Sequence, residues 1–119
     1  MKKTIVIGAS ENTERYSNRA VRQLKQHGNP VVAIGLKEGE IDGTKIQTGF
    51  PKIENVDTVT LYVGEKNQPA YYDYILSLKP VRVIFNPGAE NPDFKKKLEK
   101  AGIEAPEACT LVMLSIGNY

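Results

Sequence analysis

The sequence predicts an α/β domain built on a parallel sheet. Short β-branched segments alternate with segments of helical periodicity along the chain, which is the pattern of strands joined by crossover helices. The first segment, Thr4 to Ile7, is apolar or β-branched throughout and ends at Gly8, as expected for a central strand buried on both faces. With 119 residues the chain fits one domain, residues 1–119, with one hydrophobic core.

Five segments are predicted to form the strands, namely residues 4–7, 31–34, 58–63, 81–85 and 103–105. Between the second and third, Asp42-Gly43 is a strong turn signal flanked by Ile41 and Ile46. It predicts a small hairpin or an extended excursion in place of a crossover helix. Short right-handed connections then favour a Rossmann-like three-layer domain with a five-stranded parallel sheet in the order 3-2-1-4-5.

Three helices are predicted between the strands. The first covers about residues 18–27 with Ser17 as its cap. The second begins at Pro69, because proline is favoured in the first turn of a helix. The third begins with the capping residue Asn91 followed by Pro92. The remaining C-terminal residues carry no pattern from which an element is predicted.

Composition excludes several classes of function. The net charge is +2, from 16 basic and 14 acidic residues, so the broad positive field that nonspecific nucleic-acid binding requires is missing. The single cysteine, Cys109, excludes an intrachain disulfide and multi-cysteine metal sites. The N-terminal apolar stretch stops at Gly8, too early for a signal peptide or a membrane span. We expect a cytoplasmic protein with no nucleic-acid or membrane partner, acting alone, as a homo-oligomer or with a partner protein.

The turn after the first strand is the strongest candidate for a binding site. Ligands of parallel sheets bind at the carboxyl ends of the strands, near the point where the strand order reverses. There the glycine of Gly8-Ala9-Ser10 lets backbone amides approach an anion, and the following helix N-terminus adds partial positive charge. We therefore expect this turn to hold the diphosphate of a nucleotide-containing ligand. An ordinary strand-to-helix turn is the alternative.

Two departures from the dinucleotide-binding fingerprint narrow the ligand. Ser10 and Thr13 stand where the Gly-x-Gly-x-x-Gly pattern requires glycines. After the second strand, NAD-binding domains place an acidic residue that bonds the ribose, whereas this chain has Gly35-Leu36-Lys37. A lysine at this position favours a phosphorylated sugar, as in NADP or the 3′-phosphate of coenzyme A (CoA).

The order and spacing of these motifs resemble those of the small single-domain CoA-binding proteins, which are similar in turn to the CoA-binding domain of the succinyl-CoA synthetase α subunit. The resemblance rests on Gly8-Ala9-Ser10, Asn12 and Glu14-Arg15 before the first helix, and on Asn86-Pro87-Gly88-Ala89-Glu90-Asn91 after the fourth strand. It covers about residues 4–109 and implies a Rossmann fold with CoA or acyl-CoA as ligand. Carried over by position, it implies a cofactor site formed by Gly8, Ala9, Ser10, Arg15, Ser17, Gly35, Lys37, Tyr62, Val63, Gly64, Asn86 and Gly88. In that site Lys37 is expected near the ribose phosphate, and Tyr62-Val63-Gly64 at the edge of the adenine site.

The candidate chemistry leaves two functions open. His27 is the only histidine, and its place at the end of the first helix indicates a cap. Cys109 is either a small buried hydrophobe or a thiol near the cleft mouth. With no readable acid–base pair, the favoured function is noncatalytic binding of CoA or acyl-CoA. The alternative is an NADP-dependent oxidoreductase fragment or a CoA-ligase component that acts with a partner chain.

Overall fold

The computed structural model describes the whole chain, Met1 to Tyr119. Its strands are β1 Thr4–Ile7, β2 Val31–Ile34, β3 Gly39–Ile41, β4 Thr44–Gln47, β5 Thr58–Leu61 and β6 Arg82–Phe85. Its α-helices are α1 Tyr16–Gln26, α2 Tyr72–Leu78, α3 Pro92–Lys100 and α4 Thr110–Ser115. Two short 3₁₀ turns, Glu65–Asn67 and Pro69–Tyr71, lead into α2. No helix has the length and apolar character needed to span a membrane.

The predicted fold class is confirmed: a mostly parallel sheet carries helices on both faces. The sheet has six strands rather than five, in the order β3-β4-β2-β1-β5-β6. Only the β3–β4 pair is antiparallel. It forms the predicted hairpin, in which Asp42 and Gly43 have φ angles of 48° and 83°, as a tight hairpin turn requires.

The predicted order 3-2-1-4-5 is wrong, because the strand at residues 58–61 does not lie beside β2. That strand, β5, pairs with β1 on one side and β6 on the other. The place beside β2 is taken by β4, which follows β2 closely along the chain and pairs through Ala33–Ile46 and Ile34–Gln47. Since the hairpin occupies this edge, the chain must cross to the far side of β1 before it forms β5.

In place of the predicted fifth strand at residues 103–105, two isolated bridges join β6 to Glu104 and Glu107. The N–H groups of Glu104 and Ala108 donate to the carbonyls of Val81 and Phe85. The residue midway between these two donors is Pro106, which has no N–H to give. This one missing donor therefore interrupts the hydrogen-bond ladder directly after the predicted strand.

The two faces of the sheet pack against different helices. On one face, alternate residues of β1, β5 and β6 form the larger core with side chains of α2 and α3: Ile5, Ile7, Val59, Leu61, Val83, Phe85, Ile75, Phe94 and Leu98. On the other face, a smaller core joins the sheet to α1 and α4: Val6, Ala33, Val21, Leu24 and Leu114. Because side chains alternate along a strand, the single segment β1 contributes to both cores.

The helix ends show which capping predictions hold. Asn91 caps α3 as predicted, since its Oδ1 accepts a hydrogen bond from Phe94 N at 3.0 Å. The α1 prediction is shifted by two residues at its start. Ser17 lies within that helix, and Arg15 takes the N-cap position without a side-chain cap bond. His27 is the C-cap of α1, and its Nδ1 lies 2.8 Å from Gln23 O, which confirms its capping role.

A buried polar network fastens α4 to the sheet. The Nδ2 of Asn86 donates to Thr60 Oγ1 at 2.6 Å and to Leu61 O at 2.8 Å. Its Oδ1 accepts from Thr110 N, the first residue of α4, at 2.9 Å. The hydroxyls of Thr60 and Thr110 bond each other at 2.8 Å. One asparagine side chain thus joins β5, β6 and α4.

We expect Asn86→Ala to lower the free energy of unfolding by about 2–4 kcal/mol, because it removes three hydrogen bonds and leaves buried partners unsatisfied. Urea unfolding measures this loss. The matched control is Asn118→Ala at an exposed position, which should change stability by less than about 0.5 kcal/mol. Equal stability of the two variants would show that the network contributes nothing net.

A second buried contact holds the C-terminal Tyr119 at the opposite edge of the sheet. The guanidinium carbon of Arg82 lies 4.3 Å from the centroid of the Tyr119 ring. The phenol lies 2.5 Å from Thr4 Oγ1. Arg82 is 8 % exposed, its Nε donates to Thr58 Oγ1 at 2.8 Å, and its Nη2 has no hydrogen-bond partner. The aromatic ring therefore covers a cation that would otherwise be poorly compensated.

We expect Tyr119→Ala to destabilise the fold by about 2–4 kcal/mol, through lost packing and the lost cation–π contact. Tyr119→Phe should cost only about 1 kcal/mol, because it removes the phenol alone. Tyr16→Ala is the control, since this ring also faces an arginine, Arg19 at 5.5 Å, but is 65 % exposed. Equal losses for Tyr119→Ala and Tyr119→Phe in chemical denaturation would assign the whole effect to the phenol.

Candidate functional site

A cleft of about 760 Å³ opens at the carboxyl edge of the sheet. Its walls are the turns that follow β1, β2 and β5, together with the end of β4 and the segment after it. These segments meet because parallel strands all end at the same edge. The volume lies in the range of small-molecule sites.

Nine of the residues expected in the site line this cleft, namely Gly8, Ala9, Ser10, Arg15, Gly35, Lys37, Tyr62, Val63 and Gly64. The other three lie elsewhere. Ser17 is buried in the first turn of α1, and Asn86 belongs to the network beneath α4. Gly88 is exposed in the turn after β6, where its N–H donates to Glu90 Oε1 at 2.9 Å. The structure thus brings together the turns after β1, β2 and β5, but not the one after β6.

Close backbone packing explains the two glycines at the floor of the cleft. Gly8 has a φ of +98°, and a Cβ added to it would lie 2.5 Å from Tyr62 O. A Cβ on Gly35 would lie 2.3 Å from Ala9 O. Both distances are far below van der Waals contact, so neither position accepts a side chain without a backbone shift. The fold requires these glycines independently of any anion.

Local hydrogen bonds fix the loop between β1 and α1. Asn12 N donates to Ser10 Oγ at 3.1 Å, and Glu14 N donates to Asn12 Oδ1 at 3.0 Å. From within α1, Asn18 Nδ2 donates to Ser10 O at 2.8 Å. A long connection without a regular element is therefore held in one conformation by side chains that the sequence places at turn spacing.

This fixed loop presents backbone donors that have no acceptor in the protein. The N–H groups of Ser10 and Glu11, and those of Tyr16 and Ser17 in the first turn of α1, make no hydrogen bond. Free amides at the start of an 11-residue helix form an environment suited to an anion. The Arg15 side chain lines the same part of the cleft.

The charges around the cleft are mixed. The cations Arg15 and Lys37 line it together with the carboxylates of Glu11 and Glu38. Glu11 Oε2 is engaged, because it accepts a hydrogen bond from the backbone N–H of Glu40 at 3.0 Å. Neither carboxylate was predicted in the site, since an anion-binding pattern gives no reason to expect one. Their presence confines the favourable positions for an anionic group to the neighbourhood of the two cations and the free amides.

An apolar wall, which no sequence pattern predicted, bounds the cleft near the ends of β2 and β4. Leu36 and Phe50 line it and are 91 % and 58 % exposed. The ring centroid of Phe50 lies 5.7 Å from that of Tyr71 and 5.4 Å from that of Tyr74. The position of Phe50 follows from the placement of β4 beside β2, which the predicted strand order did not include. No local signal in residues 48–56 could have revealed it.

Tyr62 contributes to the cleft but buries its hydroxyl elsewhere. The hydroxyl lies in the protein interior with no hydrogen-bond partner. Burial raises the pKa of the Tyr62 phenol well above its usual value, the neighbouring Cys109 raises it further, and the nearby hydroxyls of Thr110 and Thr60 offset only part of the rise. Cys109 itself is half-buried at the start of α4 and does not line the cleft. No group of three or more His, Cys, Asp or Glu side chains is placed to hold a metal ion.

Solved structures share this fold along the full length of the chain. A crystal structure of an uncharacterized protein is 51 % identical, with 100 % of this chain and 98 % of that chain covered and a TM-score of 0.97. A hypothetical protein from Pyrococcus horikoshii is 25 % identical, with 97 % and 82 % covered and a TM-score of 0.86. A Thermus thermophilus structure at 24 % identity, with 99 % and 91 % covered, has a TM-score of 0.84 and supports the fold alone.

No protein of curated function matches the chain. The family model that describes the CoA binding domain does match, over residues 2–115. That match includes every strand of the sheet, the whole cleft and the turn at Gly8-Ala9-Ser10. It confirms the resemblance read from the sequence motifs, and the chain therefore belongs to the CoA binding domain family.

Proposed function

We propose that the protein binds CoA or an acyl-CoA without catalysing a reaction, and that it holds the diphosphate at the Gly8-Ala9-Ser10 turn. The observation that carries this proposal is the set of unpaired N–H groups at Ser10 and Glu11, next to the start of α1 and the Arg15 side chain. A diphosphate needs several directed donors and nearby positive charge, and this arrangement supplies both.

The adenosine half of the ligand extends from this turn over the end of β2. In parallel sheets the ribose lies at that strand end, where Lys37 lines the cleft. Lys37 is exposed and long enough to follow a phosphate on the sugar. The segment Tyr62-Val63-Gly64 forms the opposite edge of the cleft. This arrangement supports a ligand with a ribose 3′-phosphate.

The composition of the cleft supports a binding role. Its carboxylates are those of Glu11 and Glu38, and the first of these already accepts a hydrogen bond from Glu40 N. Neither histidine nor cysteine lines the cleft, because His27 caps the far end of α1 and Cys109 lies at the start of α4. Apart from these two carboxylates, the lining consists of backbone donors, cations and apolar surfaces, which bind and orient a ligand rather than transfer protons.

We expect CoA to raise the melting temperature of the protein, whereas NAD leaves it unchanged. At a free concentration of 100 times its dissociation constant, CoA should stabilise the fold by about 2.7 kcal/mol, or several degrees for a domain of this size. Differential scanning fluorimetry with CoA, acetyl-CoA, NAD and NADP measures the ranking. A shift with NADP and none with CoA would favour the oxidoreductase alternative and reject the proposal.

Gly64→Leu shows whether the stabilisation comes from the cleft. Gly64 has φ −62° and ψ 157°, which any residue adopts, and a Cβ there meets nothing within 4 Å. A leucine should therefore leave the free protein stable while it narrows the cleft and abolishes the CoA shift. Ser115→Leu, at an exposed position of α4, is the control and should retain the shift. Gly8 is unsuitable for this purpose, because its Cβ would strike Tyr62 O.

We expect Lys37→Ala to weaken CoA binding roughly tenfold to a hundredfold, as the loss of a charge-assisted contact worth about 1.5–3 kcal/mol requires. The same variant should bind dephospho-CoA as well as the wild type does, since that ligand lacks the partner phosphate. Isothermal titration calorimetry of both ligands with both proteins gives the four dissociation constants that this comparison needs. Lys45→Ala, an exposed lysine on β4 outside the cleft, is the control. Equal losses for the two ligands would remove Lys37 from the phosphate site.

A further inference from the structure

We infer that Phe50 is the wall on which the adenine base of the ligand stacks. This inference rests on the proposed function and assigns a residue to the base. Leu36 and Phe50 are large apolar side chains that line the cleft and remain 91 % and 58 % exposed. They follow β2 and β4, adjacent parallel strands in which Ile34 pairs with Gln47. The cleft therefore has an apolar end next to the strand that positions the ribose.

The ring of Phe50 is held in place before any ligand arrives. It packs edge-on against Tyr71, with an interplanar angle of 70°, and tilted against Tyr74 at 54°. Tyr74 in turn donates a hydrogen bond from its hydroxyl to Pro51 O at 2.6 Å, which fastens the chain next to Phe50. A preorganised aromatic surface loses little conformational freedom when a flat ring stacks on it.

The proposed position of the ribose identifies which end of the ligand reaches Phe50. Phe50 follows β4, the neighbour of β2, and its ring packs against Tyr71, which lines the cleft after β5. A ribose held over the end of β2 by Lys37, as proposed above, therefore brings its attached base to the Phe50 ring. On its far side, Phe50 borders a separate groove lined by Ile53, Tyr74 and Leu78. The phenylalanine thus closes the cleft at this end, as a terminal base requires.

Phenylalanine-selective NMR tests the inference directly. The chain has three phenylalanines, and Phe85 and Phe94 are 1 % and 0 % exposed, so only Phe50 can contact a ligand. With ring-¹³C-labelled phenylalanine, we expect the Phe50 signals to move upfield with CoA and with adenosine 3′,5′-bisphosphate. They should stay in place with 4′-phosphopantetheine. The Phe50→Leu variant, which lacks these signals, assigns them.

Calorimetry supplies the second readout. Phe50→Ala should weaken binding of CoA and of adenosine 3′,5′-bisphosphate roughly fivefold to a hundredfold, as the loss of one base–aromatic stack predicts. Phe50→Tyr should restore most of that affinity, and Ile116→Ala, exposed by 66 % outside the cleft, should change nothing.

The possible outcomes separate the inference from the proposed function. If CoA binds with Phe50 signals unmoved and Phe50→Ala unaffected, the base lies elsewhere while CoA binding stands. If 4′-phosphopantetheine moves the Phe50 signals, the wall receives the other arm and the inference is overturned. If the wild type binds no CoA, the proposed function and the inference about Phe50 are both rejected.

Discussion

The close approach of three strand ends is the constraint on which the site depends. A Cβ added to Gly8 would lie 2.5 Å from Tyr62 O, and a Cβ added to Gly35 would lie 2.3 Å from Ala9 O. Only glycine permits this approach, which draws the turns after β1, β2 and β5 around one cleft. The same geometry leaves the amides of Ser10 and Glu11 free. Gly8 N and Ala9 N both donate to Ile34 O, and the chain then leaves the sheet, so the next amides have no strand to pair with.

The face of the sheet beneath α4 shows how the fold is secured away from the cleft. Beside the smaller apolar core on this face, β5, β6 and the residue after β6 place four polar side chains there, all buried: Thr58, Thr60, Arg82 and Asn86. Buried polar groups are tolerated when they are paired, and most of these are, through Asn86 and the Arg82–Thr58 bond. Such bonds are directional, so they fix where α4 and the C-terminal segment lie more specifically than apolar contacts do.

Local signals predicted the parts of this fold that local interactions determine. The β1 segment, the Asp42-Gly43 hairpin and the Asn91 cap each depend on a few neighbouring residues, and each appears as expected. The strand order, α4 and Phe50 depend on partners far along the chain. The apolar pattern of residues 58–61 fits either side of β1, and only the prior occupation of one edge by β4 decides between them. Likewise, Pro106 interrupts a ladder with β6, and no signal near residue 106 identifies that partner strand.

The distribution of polarity in the cleft shows how a nearly balanced set of charges could still favour the proposed anionic ligand. Two cations and two carboxylates line it, so its net field is weak and long-range attraction contributes little. Selectivity must then come from short-range geometry. Fixed amides at Ser10 and Glu11 direct hydrogen bonds at one place, while Leu36 and Phe50 offer apolar surface at another. A ligand that carries an anionic group and a separate flat apolar group gains from both surfaces, as the proposed adenine-containing ligand would.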